Sequence, residues 1–145
     1  MRKLYSAIAL WLALAGLGLI PATAAAKISD ADTRAVQRVV RTQLDAFAAD
    51  NAALAFSLAA PSIKEMFGNA DNFLQMVRTS YPVVYRPASV SFLQPEPDVK
   101  EVVQPVHLTD GQGHAWLAVY RMQRQKDKSW RIAGCVVLAQ SGQSV

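Results

Sequence analysis

Lys100–Ala139, KEVVQPVHLTDGQGHAWLAVYRMQRQKDKSWRIAGCVVLA, decides the fold. Valine, aromatic and polar residues alternate along it with a period of two, and the pattern is broken by Asp110-Gly111-Gln112-Gly113 and again by Lys126-Asp127-Lys128. Period-two runs bounded by such turn residues read as strands. Three are predicted, over Lys100–Thr109, His114–Arg124 and Ser129–Ala139, joined by turns short enough for an antiparallel meander. A fourth, Ser89–Leu93, lies ahead of them between Pro87 and Pro95-Glu96-Pro97. Pro105 interrupts the second predicted strand; lacking an N–H, it calls for a bulge or an unpaired edge there.

Upstream, the period changes to that of a helix. Ser29 with Asp32 three residues on reads as an N-cap and capping pair. Val36, Val40, Leu44 and Phe47 then recur at helical spacing, with Arg34, Arg38, Arg41 and Asp45 mainly on the other side. Asp50 or Asn51 caps a short helix through Leu54 and Leu58, Pro61 opens another that stops at Gly68, and Asn69 caps a third that runs to Tyr81-Pro82. One long and three short helices followed by four strands define an α+β domain, with the helices packed on one face of a curved four-stranded antiparallel sheet.

The first 26 residues read differently. Met1-Arg2-Lys3 is a short cationic end, Leu4–Ile20 carries no charge, Pro21 breaks the run, and Ala22-Thr23-Ala24 and Ala24-Ala25-Ala26 place small residues where a signal peptidase needs them. Cleavage after Ala24 or Ala26 is expected, which assigns the protein to the periplasm or the medium, without a stable membrane anchor after cleavage. Of 145 residues, 145 less 26 leaves 119, one compact domain over residues 27–145. Losing Arg2 and Lys3 lowers the formal net charge from +4 to +2. The remaining charges are interspersed, which speaks against nucleic acid as a partner. The exception, Arg121–Arg131, is a basic run around a predicted turn and reads as a solvated hairpin tip. Cys135, the only cysteine, cannot form an internal disulfide and reads as a buried, inert thiol.

Several segments carry a resemblance: Gln43-Leu44-Asp45-Ala46-Phe47, Met66-Phe67-Gly68, Tyr81-Pro82-Val83-Val84-Tyr85-Arg86-Pro87, Leu108-Thr109-Asp110 and Ser129-Trp130-Arg131-Ile132-Ala133-Gly134-Cys135. With these the chain resembles a bacterial family of no assigned activity, domain of unknown function 4864. The order of elements is similar to the nuclear transport factor 2-like, cystatin-like superfamily. That resemblance implies a sheet closed into a cone by its helices, a tendency to dimerise through the sheet, and, in the enzymes among them, a carboxylate or histidine base with a tyrosine donor in an apolar cavity.

No motif fixes a reaction, a cofactor or a metal site. The strands offer little inward acid, and Asp45 is the best placed carboxylate, unless it faces solvent beside Arg41. Tyr81, Tyr85 and Arg86, in a proline-bounded stretch read as extended, are the remaining ligand-binding candidates: the guanidinium would hold an anion and a phenol would donate to it. Arg86 would otherwise pair with an acid such as Asp45 or Glu65. His107 and His114 flank the Asp110–Gly113 turn and face one another only if the loop has two residues; a four-residue loop puts His107 opposite Trp116. The sequence thus predicts an exported domain that binds a small apolar or anionic ligand or a protein, including a second copy through the sheet face, with an isomerase or dehydratase that uses a cavity carboxylate and tyrosine as the alternative.

Overall fold

The computed structural model describes residues 27–141; the leader assigned above to residues 1–26 lies outside the described residues. The domain is α+β, as the periodicities require. α1 spans Asp30–Ala48 and is followed by α2 Ala52–Ser57, α3 Pro61–Phe67, α4 Ala70–Ser80 and α5 Pro82–Tyr85. The strands are β1 Ser89–Phe92, β2 Glu96–Asp98, β3 Glu101–Thr109, β4 Ala115–Arg124 and β5 Trp130–Gln140.

Each helix start has a local cause. Ser29 Oγ accepts the Asp32 amide at 3.0 Å, Asn51 Oδ1 accepts that of Leu54, and Asn69 Oδ1 that of Asn72. Pro61 opens α3 and Gly68, at φ 78°, ends it, a conformation that costs a glycine little. Asp32 does not complete a reciprocal capping box: its carboxylate reaches across to the Arg124 guanidinium at 3.2 Å and the Trp130 indole N–H at 3.4 Å. The start of α1 is thereby tied to the far end of the β4–β5 hairpin.

The sheet order is β1-β3-β4-β5, with β2 beside β3 on the same edge as β1. The fifth strand, β2, replaces the coil expected around Pro95-Glu96-Pro97. β1 pairs with Val106–Thr109 and β2 with Glu101–Val103. Pro105 sits beside the break between them, where the chain leaves the ladder. The break is closed by Gln104, fully buried, whose amide nitrogen donates to the Leu93 and Pro105 carbonyls at 2.8 and 2.7 Å. All pairings between the five strands are antiparallel, and a bulge at Arg121/Met122 shifts the β4–β5 register.

The sheet does not close into the expected cone. β5 and the β1/β2 side remain as two edges, and at Ile132 the β5 edge is covered by the α2–α3 linker, with Ala60 N–H to Ile132 O at 2.8 Å and Ile132 N–H to Leu58 O at 2.9 Å. Helices cover one face only. On that face Val36, Val40, Leu44 and Phe47 of α1 meet Val106, Leu108, Tyr120 and Met122, all nearly or fully buried. Phe73 of α4 is the hub of an aromatic cluster, its ring 5.4–5.6 Å from those of Phe47, Phe56 and Phe67. No helix among the described residues is long and apolar enough to cross a membrane.

Two local expectations are corrected. Val83–Tyr85 is not extended: Pro82 takes the first position of a one-turn helix, where its fixed φ is already helical and its missing N–H costs nothing. The β3–β4 loop has five residues, so His107 stands opposite Leu117 and not Trp116 or His114. Its length follows from Asp110, whose carboxylate accepts the amides of Gln112 and His114 at 2.9 and 3.0 Å, and from Gly113 at φ 82°.

Candidate functional site

Between the helices and the inner face of β4–β5 lies a pocket of about 510 Å³. Helices α3 and α4 form one wall through Ile63, Phe67, Met76 and Val77, and the floor is Tyr120 with Ile132–Cys135. Met66, at 72% exposure, and Tyr81 stand among the lining residues with large solvent-facing surfaces. Gly68, at the end of α3, and Asn69, the N-cap of α4, turn the chain between these two short helices. Apolar lining with a few convergent polar groups, at this volume, is the usual constitution of a small-molecule site.

Its polar groups are few. Gln43 of α1 is buried and its amide nitrogen is held by the Ala55 carbonyl at 3.0 Å. Tyr120 is 1% exposed, and its hydroxyl, beside the Cys135 thiol, has almost no accessible surface. Burial raises its pKa well above the ordinary value, and the adjoining Cys135 adds to the rise. Burial likewise pushes the Cys135 thiol up to about 12, so the thiol is neutral and unreactive at ordinary pH. Arg121 borders the pocket, but its guanidinium lies across Gly134, 2.9 Å from where a Cβ would stand, donates to the Ala133 carbonyl at 3.1 Å and pairs with Glu101 at 3.5 Å. Gly134 is thus the floor over which this arginine lies flat. No aspartate, glutamate or histidine is among the residues that line the pocket.

The four residues picked from sequence are not gathered in one place. Tyr81 borders the main pocket and also a second one of about 480 Å³, which it shares with Arg86, Asp110 and Trp116. Tyr85 and Arg86 belong to a cluster centred on Asp50, which the sequence marks only as a candidate helix cap. The Asp50 carboxylate accepts from the Tyr85 hydroxyl, from Arg78 at 2.9 Å and from Arg86 at 3.2 Å, while both guanidinium groups lie against the Tyr85 ring at 5.3 and 4.7 Å. The Tyr85 hydrogen bond, then Arg78, holds the Asp50 carboxyl below its usual range. Asp50 has φ 54°, a left-handed conformation that aspartate tolerates better than most residues. Nothing in the sequence flags that turn, since its three partners lie 28 to 36 residues away. Asp45 is exposed on α1, beside a shallow depression of about 220 Å³ with Arg41 and Pro87.

The histidines are likewise apart. His107 is exposed on β3, and His114 contacts Asp110 at 3.2 Å. The Trp116 indole donates to the same carboxylate at 3.1 Å; that bond, with the two loop amides, brings the Asp110 pKa down to about 2. The basic run Arg121–Arg131 is divided among partners, with Arg121 on Glu101 and Arg124 on Asp32. Among the described residues no three of histidine, cysteine, aspartate and glutamate form a group able to hold a metal ion.

A small, half-open α+β domain with a largely apolar pocket is the class these features define. Residues 29–145 match the family described as Domain of unknown function (DUF4864), and the chain belongs to that family. Comparison with curated proteins and with solved structures returned no match.

Proposed function

We propose that this domain is an exported binding protein for a small apolar molecule, which it takes into the pocket between α3, α4 and β4–β5. The observation that carries the reading is the lining: an aromatic and aliphatic wall of sufficient volume, with its polar groups confined to Gln43, Ser80, Tyr81 and the floor around Tyr120. The alternative of an isomerase or dehydratase needs a carboxylate or imidazole near a tyrosine, and the lining supplies neither. An anion held by Arg86 is likewise disfavoured, because Arg86 already pairs with Asp50. Placement in the cystatin-like superfamily is supported by the long first helix, the short helices after it and the one-sided antiparallel sheet.

Export is supported by the cationic, apolar and A-x-A pattern of residues 1–26 and by a family match that begins only at residue 29. The amino-terminal residue of the protein recovered from its native host tests it: a chain starting at Ala25 or Lys27 is expected, and one retaining Met1 contradicts export with cleavage. Binding is tested by thermal melting against a panel of neutral apolar compounds and small acids. A ligand at a hundred times its Kd stabilises by about 2.7 kcal/mol, a shift of several degrees for a domain of this size. The neutral compounds are expected to raise Tm and the acids to leave it unchanged.

A second reading is carried by the uncovered sheet face. Val136 and Leu138 of β5 are 59% and 48% exposed, and Leu117 and Val119 lie beside them on β4. A second copy of the chain is the partner proposed for that face, and the mass of the protein in solution tests it.

A further inference from the structure

The two edges of the sheet are defended differently. On one side β1 and β2 are four and three residues long, with Pro87, Pro95 and Pro97 at or within them and charges at Glu96 and Asp98. Short strands, prolines and charges are what keep an edge from pairing with another chain. β5 has none of these defences beyond Arg131. It is eleven residues long, and from Ile132 to Val145 the sequence holds neither a charged residue nor a proline.

The ladder shows which of its backbone groups turn outward. The His114 carbonyl accepts from Asp110 on the β3 side, and the Gln125 amide donates to Ser129 on the β5 side. Along β4 the odd-numbered residues therefore turn their N–H and C=O to β5. Beyond the bulge, with Val119 opposite Val136 and Leu117 opposite Leu138, Val136 and Leu138 bond to β4, and the groups of Cys135, Val137 and Ala139 point away from the sheet. Ile132 points the same way and is taken by Leu58 and Ala60. Among the described residues no backbone group takes the next three.

An uncharged strand with an open edge of its own fits this row, and the chain carries one. Joining β5 to the β1/β2 side of another copy would repeat without closing, and the prolines and charges there oppose it. Joining β5 to β5 closes on a two-fold axis. Resting on the second-copy reading above, we propose that two copies join edge to edge through β5, antiparallel, into one continuous sheet. The unobstructed stretch 134–140 has its centre at Val137, so Val137 pairs with its counterpart and Cys135 with Ala139 of the other copy. On the open face Val136 of each copy then stands beside Leu138 of the other, which covers the two apolar side chains left 59% and 48% exposed.

Sedimentation and amide hydrogen exchange on the purified protein over a concentration series test this, together with Val137→Pro. The outward N–H of Val137 is not used within the sheet, so proline is tolerated there as on other edge strands while it removes the central donor. The unmutated protein is expected to dimerise, with exchange at Cys135, Val137 and Ala139 slowing about tenfold once nine-tenths of it is paired. The amide of Val90, which points outward on the opposite edge, is expected to keep one rate. Val137→Pro is expected to fold and to stay monomeric where the unmutated protein is a dimer. If no dimer forms at any concentration, the second-copy reading falls and the edge pairing with it. If a dimer forms but the three amides do not slow, or folded Val137→Pro still dimerises, the edge pairing is overturned while the second-copy reading stands. Should Val137→Pro fail to fold, the exchange rates of the unmutated protein decide.

Discussion

Tyr120 and Cys135 face one another across β4 and β5, and both are held neutral by burial. Each keeps its proton in the folded chain beyond the pH at which an unfolded chain releases it. Their contribution to stability is therefore intact below the ordinary thiol value of 9.0 and is lost as pH rises toward about 12. Denaturant melts between pH 8 and 11 are expected to show falling stability, with a shallower fall in Cys135→Ala. An equal slope in the variant would place the alkaline loss elsewhere.

The same neutrality makes Cys135 slow to react. Iodoacetamide at pH 8 is expected to label the native protein at least about a hundredfold more slowly than the unfolded chain, because the thiolate is the nucleophile. Labelling of the native protein at the rate of a free thiol would contradict the raised pKa of that thiol.

Acid acts on other groups. Asp110, at about 2, and Asp50, below its usual range, are deprotonated in the fold more readily than in the unfolded chain. What they contribute is complete above the ordinary carboxylate value of 3.8 and is lost as pH falls through their lowered values. Stability is expected to decline from pH 4 to pH 2, and Asp110→Asn, less stable at neutral pH, is expected to decline less over that interval. A variant that tracks the unmutated protein would remove Asp110 from the account.

Phe73 joins the aromatic rings of α1, α2 and α3 to α4 and is buried. Phe73→Ala is expected to cost about 3–5 kcal/mol, the usual range for a core phenylalanine. Ser29→Ala, which removes one N-cap acceptor at the exposed start of α1, is expected to cost about 1 kcal/mol. Chemical denaturation compares them, and equal losses would contradict the central place given to Phe73.

On the open sheet face, Leu138→Glu changes an exposed outward residue of β5. If two copies pair there, the variant is expected to sediment at half the mass of the unmutated protein at the same concentration. A dimer that survives the charge would place the interface elsewhere.

Much of the fold is legible in the sequence because its causes are local. Ser29, Asn51 and Asn69 cap helices within three residues, Pro61 and Gly68 bound α3, and period-two patterning marks β1, β3, β4 and β5 within a residue or two of their ends. What escapes sequence reading is non-local. β2 is three exposed residues recruited by β3, and α5 is a single turn whose only local signal is Pro82. The loop length at Asp110 depends on where one carboxylate turns. Among the candidate residues, Tyr85 and Arg86 are drawn to Asp50, a partner more than thirty residues distant. Tyr120 lies in the period-two run over His114–Arg124, but the burial of its hydroxyl is a property of the packed interior.

The methionine methyl groups test the central claim most directly. Met66 and Met76 line the pocket, whereas Met122 is fully buried one turn of the pleat beyond Tyr120 and does not. With the methyl groups labelled with carbon-13, addition of 2-acetylnaphthalene is expected to shift the Met66 and Met76 resonances in a saturable way and to leave Met122 in place. Resonances of Met66 and Met76 that stay fixed through saturation with the probe would contradict the assignment of this pocket as the binding site.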